Sequence, residues 1–135
     1  MLDESGLEDA IGYYIEGYTE RGGGQVDVQV SPGLGRLARD TEMALFRVVQ
    51  ESLTNVQLHS GTRRAYLRLN RVHDRVILEI RDEGRGTASG KGSNPKPLVG
   101  VGIHSMRERL KQVGGQLEIE SSSTGTTVRA TIVIS

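Results

Sequence analysis

Six of the chain's 18 glycines crowd into the stretch between Gly84 and Gly102, with Ser, Lys and Pro among them. Such a segment cannot supply a packed helix or strand, because glycine loses the most backbone freedom on ordering and proline removes a backbone donor. It reads as a polar loop from about Gly84 to Pro97, and any core has to be built on either side of it. At 135 residues the chain has enough sequence for one core and too little for two ordinary ones, so residues 1–135 are expected to form one domain.

Before the loop, Leu7, Ala10, Ile11, Tyr14, Ile15 and Tyr18 recur at helical spacing until the glycines at 22 to 24, which predicts a helix from Leu7 to about Glu20. Gln25 to Val30 alternates polar and apolar residues and stops at Ser31-Pro32-Gly33, the pattern of a strand. A second helix is predicted from Met43 to about His59, with Asp40 or Thr41 as N-cap and Glu42 in its first turn. Ala65 to Asn70 and Arg75 to Arg81 read as a hairpin that turns near His73-Asp74 and delivers Asp82 to its tip. After the loop, Ile103 to Val113 resumes helical spacing, and strands Gln116 to Glu120 and Thr127 to Ile134 flank the turn Ser122 to Gly125. Helices interleaved with hairpin strands predict an α/β sandwich, a sheet covered by helices on one face.

Several functions are excluded early. Lys plus Arg equals Asp plus Glu at 17 each, so no net field draws the chain to nucleic acid or an anionic membrane. With no cysteine and three scattered histidines there is no disulfide, thiolate metal site or cysteine nucleophile, which suits a cytoplasmic protein. No apolar run is long enough to span a bilayer, so any membrane anchor belongs to sequence outside this chain.

On the second helix, Glu51, Asn55 and His59 form a stripe at i, i+4 and i+8, with Glu51 at the edge of the apolar arc of Ala44, Leu45, Val48, Val49, Leu53 and Val56 and Asn55 and His59 inside it. Polar groups bordering a core need partners. The stripe either makes internal hydrogen bonds at a groove or forms a metal and phosphate site, in which Asn55 offers its amide oxygen to a hard cation and Glu51 orients water or accepts a proton. Asp82-Glu83-Gly84-Arg85-Gly86 follows a strand; its carboxylate can accept from an exocyclic amine while the glycines let a flat ring approach the backbone. Gly100-Val101-Gly102-Ile103 opens the third helix, whose N-terminal N–H groups attract phosphate oxygens. A Walker loop does not fit, since Gly92 follows Gly90-Lys91 where a Ser or Thr belongs and Arg85 stands in place of the first glycine.

The order of these boxes, with 27 residues from Asn55 to Asp82 and 18 from Asp82 to Gly100, resembles the N box and glycine boxes of the GHKL ATPase superfamily. Ala44 to Asn55, Gly102 to Leu110 and Gly125 to Val128 are similar to the nitrate-sensor type of histidine kinase. The resemblance implies a Bergerat-type two-layer sandwich, a mixed sheet covered on one face by three helices, with a lid over about residues 84–102. It implies the ATP-binding catalytic domain of a two-component sensor histidine kinase, using ATP and Mg²⁺. Asp82 would bind the adenine amine, Gly84 and Gly86 would shape the base pocket, and Asn55 would hold Mg²⁺. Glu51 would assist γ-phosphoryl transfer, His59 would support the pocket, Gly100 and Gly102 would let the lid fold against the phosphates, and Thr126 would reach adenine through water.

The implied partners are a dimerisation and phosphoacceptor domain of the same protein and a response regulator downstream. Leu2 to Leu7 looks like the segment that follows the dimerisation helices, so the chain is expected to begin where they stop. One position departs from the pattern: Leu58 stands where the family has a basic residue just before the histidine, so either Lys91 or Lys96 of the lid supplies that charge or the nucleotide affinity is low. Two alternatives stay open, a fold-keeping interaction module without nucleotide binding and a serine kinase of the anti-sigma-factor type.

Overall fold

The computed structural model describes residues 2–60, 64–83 and 101–134. Their elements run α1 (Leu2–Glu20), β1 (Gln25–Val30), α2 (Arg39–Asn55), a π-helical turn (Val56–Ser60), β2 (Arg64–Val72), β3 (Arg75–Asp82), α3 (Val101–Gln112), β4 (Gly115–Ser122) and β5 (Gly125–Val133). The five strands form one sheet in the order β1-β2-β3-β5-β4, with β1 parallel to β2 and every other pair antiparallel. This is the expected mixed sheet with three helices, and the helices lie on the face where Leu67, Leu69, Leu78, Ile80, Val128, Ala130 and Ile132 are buried.

In α1 the predicted apolar stripe is the buried one: Leu7, Ala10, Ile11, Ile15 and Tyr18 are all within the core. Helical backbone extends further back than the periodicity indicates, to Leu2, across a break at Gly6, whose φ of 88° only glycine adopts without strain. Against this, β1 meets its expected bounds but is poorly covered, since it is an edge strand and Val28 is exposed.

The predicted start of α2 needs correction. Neither Asp40 nor Thr41 is the N-cap; that position is Ala38, which has no side-chain cap hydrogen bond, and the helix begins four residues before Met43. Glu42, only 2% exposed, instead ties the segment before the helix to its first turn. Its carboxylate accepts the backbone N–H of Leu37 at 3.1 Å and, at 3.2 Å each, the Nε and Nη2 groups of Arg36. A carboxylate is stabilised there by the helix dipole and by the guanidinium together. Asp40 adds a second acid in the first turn. The far end differs too: regular α-helix stops at Asn55 and the last residues before Ser60 wind as a wider π-turn.

The other face of the sheet is polar. Arg129 donates to Glu79 at 2.8 Å and reaches Glu118 at 3.5 Å, an arrangement that raises the guanidinium pKa still further, and Arg81 stacks over the Tyr66 ring at 4.7 Å. Substituting Glu42 with Ala removes the acceptor of the Leu37 N–H and the carboxylate partner of the Arg36 guanidinium. We predict a loss of about 1–3 kcal/mol of stability, read as a lower urea midpoint with unchanged slope.

Candidate functional site

Asp82 ends β3 on the helix-facing side of the sheet because it shares parity with Val76, Leu78 and Ile80, and it is 5% exposed. Directly across the β3–β5 ladder lies Thr126, also buried, whose hydroxyl is 3.2 Å from that of Ser121. The strands can run this close only because Gly125 precedes Thr126. Gly125 has φ 152°, and a Cβ there would overlap the carbonyl oxygen of Asp82 and approach Glu83 Cα to 3.2 Å. The sheet therefore presents a carboxylate and a hydroxyl side by side under the helices.

Glu51 and Asn55 stand one turn apart on α2, both half-buried. Glu51 also lines a groove of about 260 Å³ between α2 and α3, with Arg47, Thr54, Ser105 and Arg109. Beyond Asn55 the backbone winds as a π-turn, Val56–Ser60, which includes His59. The side chain of His59 lies outside the described residues, as do Gly84, Gly86, Gly100, Lys91 and Lys96. Gly102 is the second residue of α3. Leu58 is 65% exposed, so no packing role demands an apolar residue there.

The sequence reading missed Tyr18, which it placed in the apolar stripe of α1. Its hydroxyl donates to the Leu53 carbonyl of α2 at 3.1 Å. Its pKa is raised chiefly by burial, then by Tyr14 and by the Asp82 carboxylate. The available signal was a tyrosine among aliphatic neighbours, since a buried phenol has to find a partner.

No group of three or more His, Asp or Glu among the described residues could hold a metal by itself. The remaining histidines lie apart from these residues: His73 occupies the β2–β3 turn with φ 56°, and His104 is exposed on α3.

Residues 40–134 match the model of the family described as histidine kinase-, DNA gyrase B-, and HSP90-like ATPase. Sensor histidine kinase MctS of Rhizobium johnstonii is 31% identical over 96% of this chain and 28% of its own length. Oxygen sensor histidine kinase NreB of Staphylococcus carnosus is 29% identical over 98% of this chain and 38% of its own length. The chain thus spans roughly a third of such relatives. Among solved structures, the histidine kinase domain of a blue-light activated histidine kinase from Erythrobacter litoralis superposes with TM-score 0.69 at 20% identity, over 95% of this chain and 61% of that one. The mycobacterial sensor histidine kinase MprB gives 0.67 at 20% identity, covering 94% and 93%. At such identities these two support the fold. No described helix is long and apolar enough to cross a membrane.

The Gly125 contact yields a direct test. Gly125→Ala forces the backbone from its positive φ and drives β5 from β3, so we predict a loss on the order of 1–3 kcal/mol, with amide shifts in two-dimensional NMR confined mainly to residues near Asp82 and Thr126.

Proposed function

The chain belongs to the family of histidine kinase-, DNA gyrase B- and HSP90-like ATPases, and from that membership we propose that it is the ATP-binding catalytic domain of a cytoplasmic two-component sensor histidine kinase. The observation that carries the proposal is the buried Asp82–Thr126 pair on the sheet, facing the helix layer that holds Glu51 and Asn55. A buried carboxylate beside a hydroxyl suits the exocyclic amine and ring nitrogen of adenine. The amide of Asn55 suits the metal that accompanies the phosphates.

In this proposal the base rests against Asp82, Gly84, Gly86 and Thr126. Mg²⁺, held by Asn55, offsets charge on the phosphate oxygens. His59 supports the pocket wall. The lid over about residues 84–102 closes through Gly100 and Gly102, with Lys91 or Lys96 replacing the cation absent at Leu58. Transfer forms a bond from an imidazole nitrogen to the γ-phosphorus and breaks the bond to the bridging oxygen, which leaves with ADP. Glu51 takes up or orients the imidazole proton. The acceptor histidine belongs to a dimerisation domain of the same protein, and a response regulator receives the phosphoryl group afterwards. A nucleotide-free interaction module finds support only in Leu58, and binding measurements separate the two.

Isothermal calorimetry with ATP, with and without Mg²⁺, is the deciding measurement. Asp82→Asn should weaken ATP binding by about 1.5–3 kcal/mol, the worth of a hydrogen bond to a charged group. Asn55→Ala should abolish the gain from Mg²⁺ and leave metal-free binding intact. Equal Mg²⁺ enhancement in both proteins would remove the metal assignment, and no ATP binding at all would favour the degenerate module.

The chain alone should not phosphorylate itself, because His73 sits in a tight turn and an in-line attack needs a nitrogen presented to the γ-phosphate. Incubation with radiolabelled ATP and Mg²⁺ should leave no acid-labile label. Stoichiometric label that vanishes in His73→Ala would contradict this.

A further inference from the structure

Tyr18 reaches an unusual point of α2. Its ring is 3% exposed and packs so closely on Gly23 that a Cβ there would lie 2.6 Å from the ring. Its hydroxyl crosses from α1 to the Leu53 carbonyl, 3.1 Å away. In a regular α-helix a carbonyl serves the N–H four residues on. Here the Val56 N–H is shared between its regular acceptor, the Ser52 carbonyl, and the Leu53 carbonyl three residues back, and Val56 begins the π-turn. Two donors thus converge where the helical ladder changes pitch. Asn55 is the last α-helical residue, two positions beyond that carbonyl and directly before the wider turn. The direction in which its side chain leaves the helix depends on where that change of pitch falls.

We infer that Tyr18 is a positioning residue of the nucleotide site: its hydroxyl pins the junction between the α-helix and the π-turn so that Asn55 presents its amide to the metal and phosphate end of the ligand. This role rests on the ATP-binding proposal above. Burial, Tyr14 and Asp82 all raise the phenol pKa, so the hydroxyl remains a donor throughout the neutral range. Asp82 itself is placed on β3 by the strand's register with Thr126. The hydroxyl should therefore govern the metal end of the site and leave the base end alone.

Tyr18→Phe keeps the ring and removes only the donor. Calorimetry should show metal-free ATP affinity changed by less than about twofold, while the gain in affinity from Mg²⁺ falls about threefold to tenfold, the range of one net hydrogen bond. Thr19→Val, which removes the neighbouring hydroxyl bond to the Gly24 carbonyl at 2.8 Å, should retain the full Mg²⁺ gain. In the unsubstituted chain, the Tyr18 hydroxyl proton should exchange more slowly with Mg²⁺ and ATP than with ATP alone, a readout that does not require the variant to fold. The inference is overturned if Tyr18→Phe keeps the whole Mg²⁺ gain, if it loses metal-free and metal-bound affinity by the same factor, or if the exchange rate does not respond to Mg²⁺. An unsubstituted chain that binds no ATP would overturn the ATP proposal itself, and this inference with it. Intact Mg²⁺ enhancement in both proteins would sink only the role of Tyr18.

Discussion

Side chains along a strand alternate between two faces, and in β2, β3 and β5 one parity is taken by the apolar residues that the helices cover. Leu78 and Ile80 commit β3 to its register, and Asp82 follows them inward because it is the next residue of the same parity. A slip of one residue would send that carboxylate to solvent and several aliphatic side chains with it. The burial of the charged group is thus secured by hydrophobic contacts several residues away. The same logic brings in Thr126, placed by Val128, Ala130 and Ile132. What the helices add is the opposite wall, with Glu51 and Asn55 on α2 and the Tyr18 hydroxyl between the layers.

Where a feature depends on local pattern, it was legible in the sequence. The stripe of α1, the β2–β3 hairpin and the arrival of Asp82 at a strand end all follow from periodicity and turn chemistry, and the structure has them. The ends of α2 were not legible, for a physical reason. Asp40 has the composition of an N-cap, but Glu42 bonds the preceding backbone from inside the helix and is itself neutralised by Arg36, a contact invisible to any window centred on the cap. The π-turn after Asn55 leaves no mark on apolar spacing and was not legible. Tyr18 looked like a core residue because it is one; its second role lies in a single atom. The two glycine boxes were legible as motifs only, since Gly84, Gly86 and Gly100 fall outside the described residues.

The two faces of the sheet solve different electrostatic problems. On the open face, Glu79, Arg129 and Glu118 keep opposite charges in contact with water, where each pair adds little stability and mainly maintains solubility. Under the helices, Glu42 and Asp82 are almost wholly removed from water, and an uncompensated charge there would be costly. Glu42 has its guanidinium and its backbone donor. Asp82 lies across the ladder from Thr126.

The antiparallel pairing of β3 with β5 joins Asp82 to Thr126 across the whole glycine-rich stretch and α3. During folding, that ladder can form only after a long chain segment has closed on itself, so it is a non-local contact and belongs late in assembly. Yet the entropy of closure grows only logarithmically, about 0.6 kcal/mol for each doubling of length. Insertions and deletions between β3 and α3 are therefore cheap for the fold, provided Gly125 still lets the two strands meet. The region best able to vary in length through evolution is thus the one flanking the buried carboxylate, and the sheet beneath it stays the same.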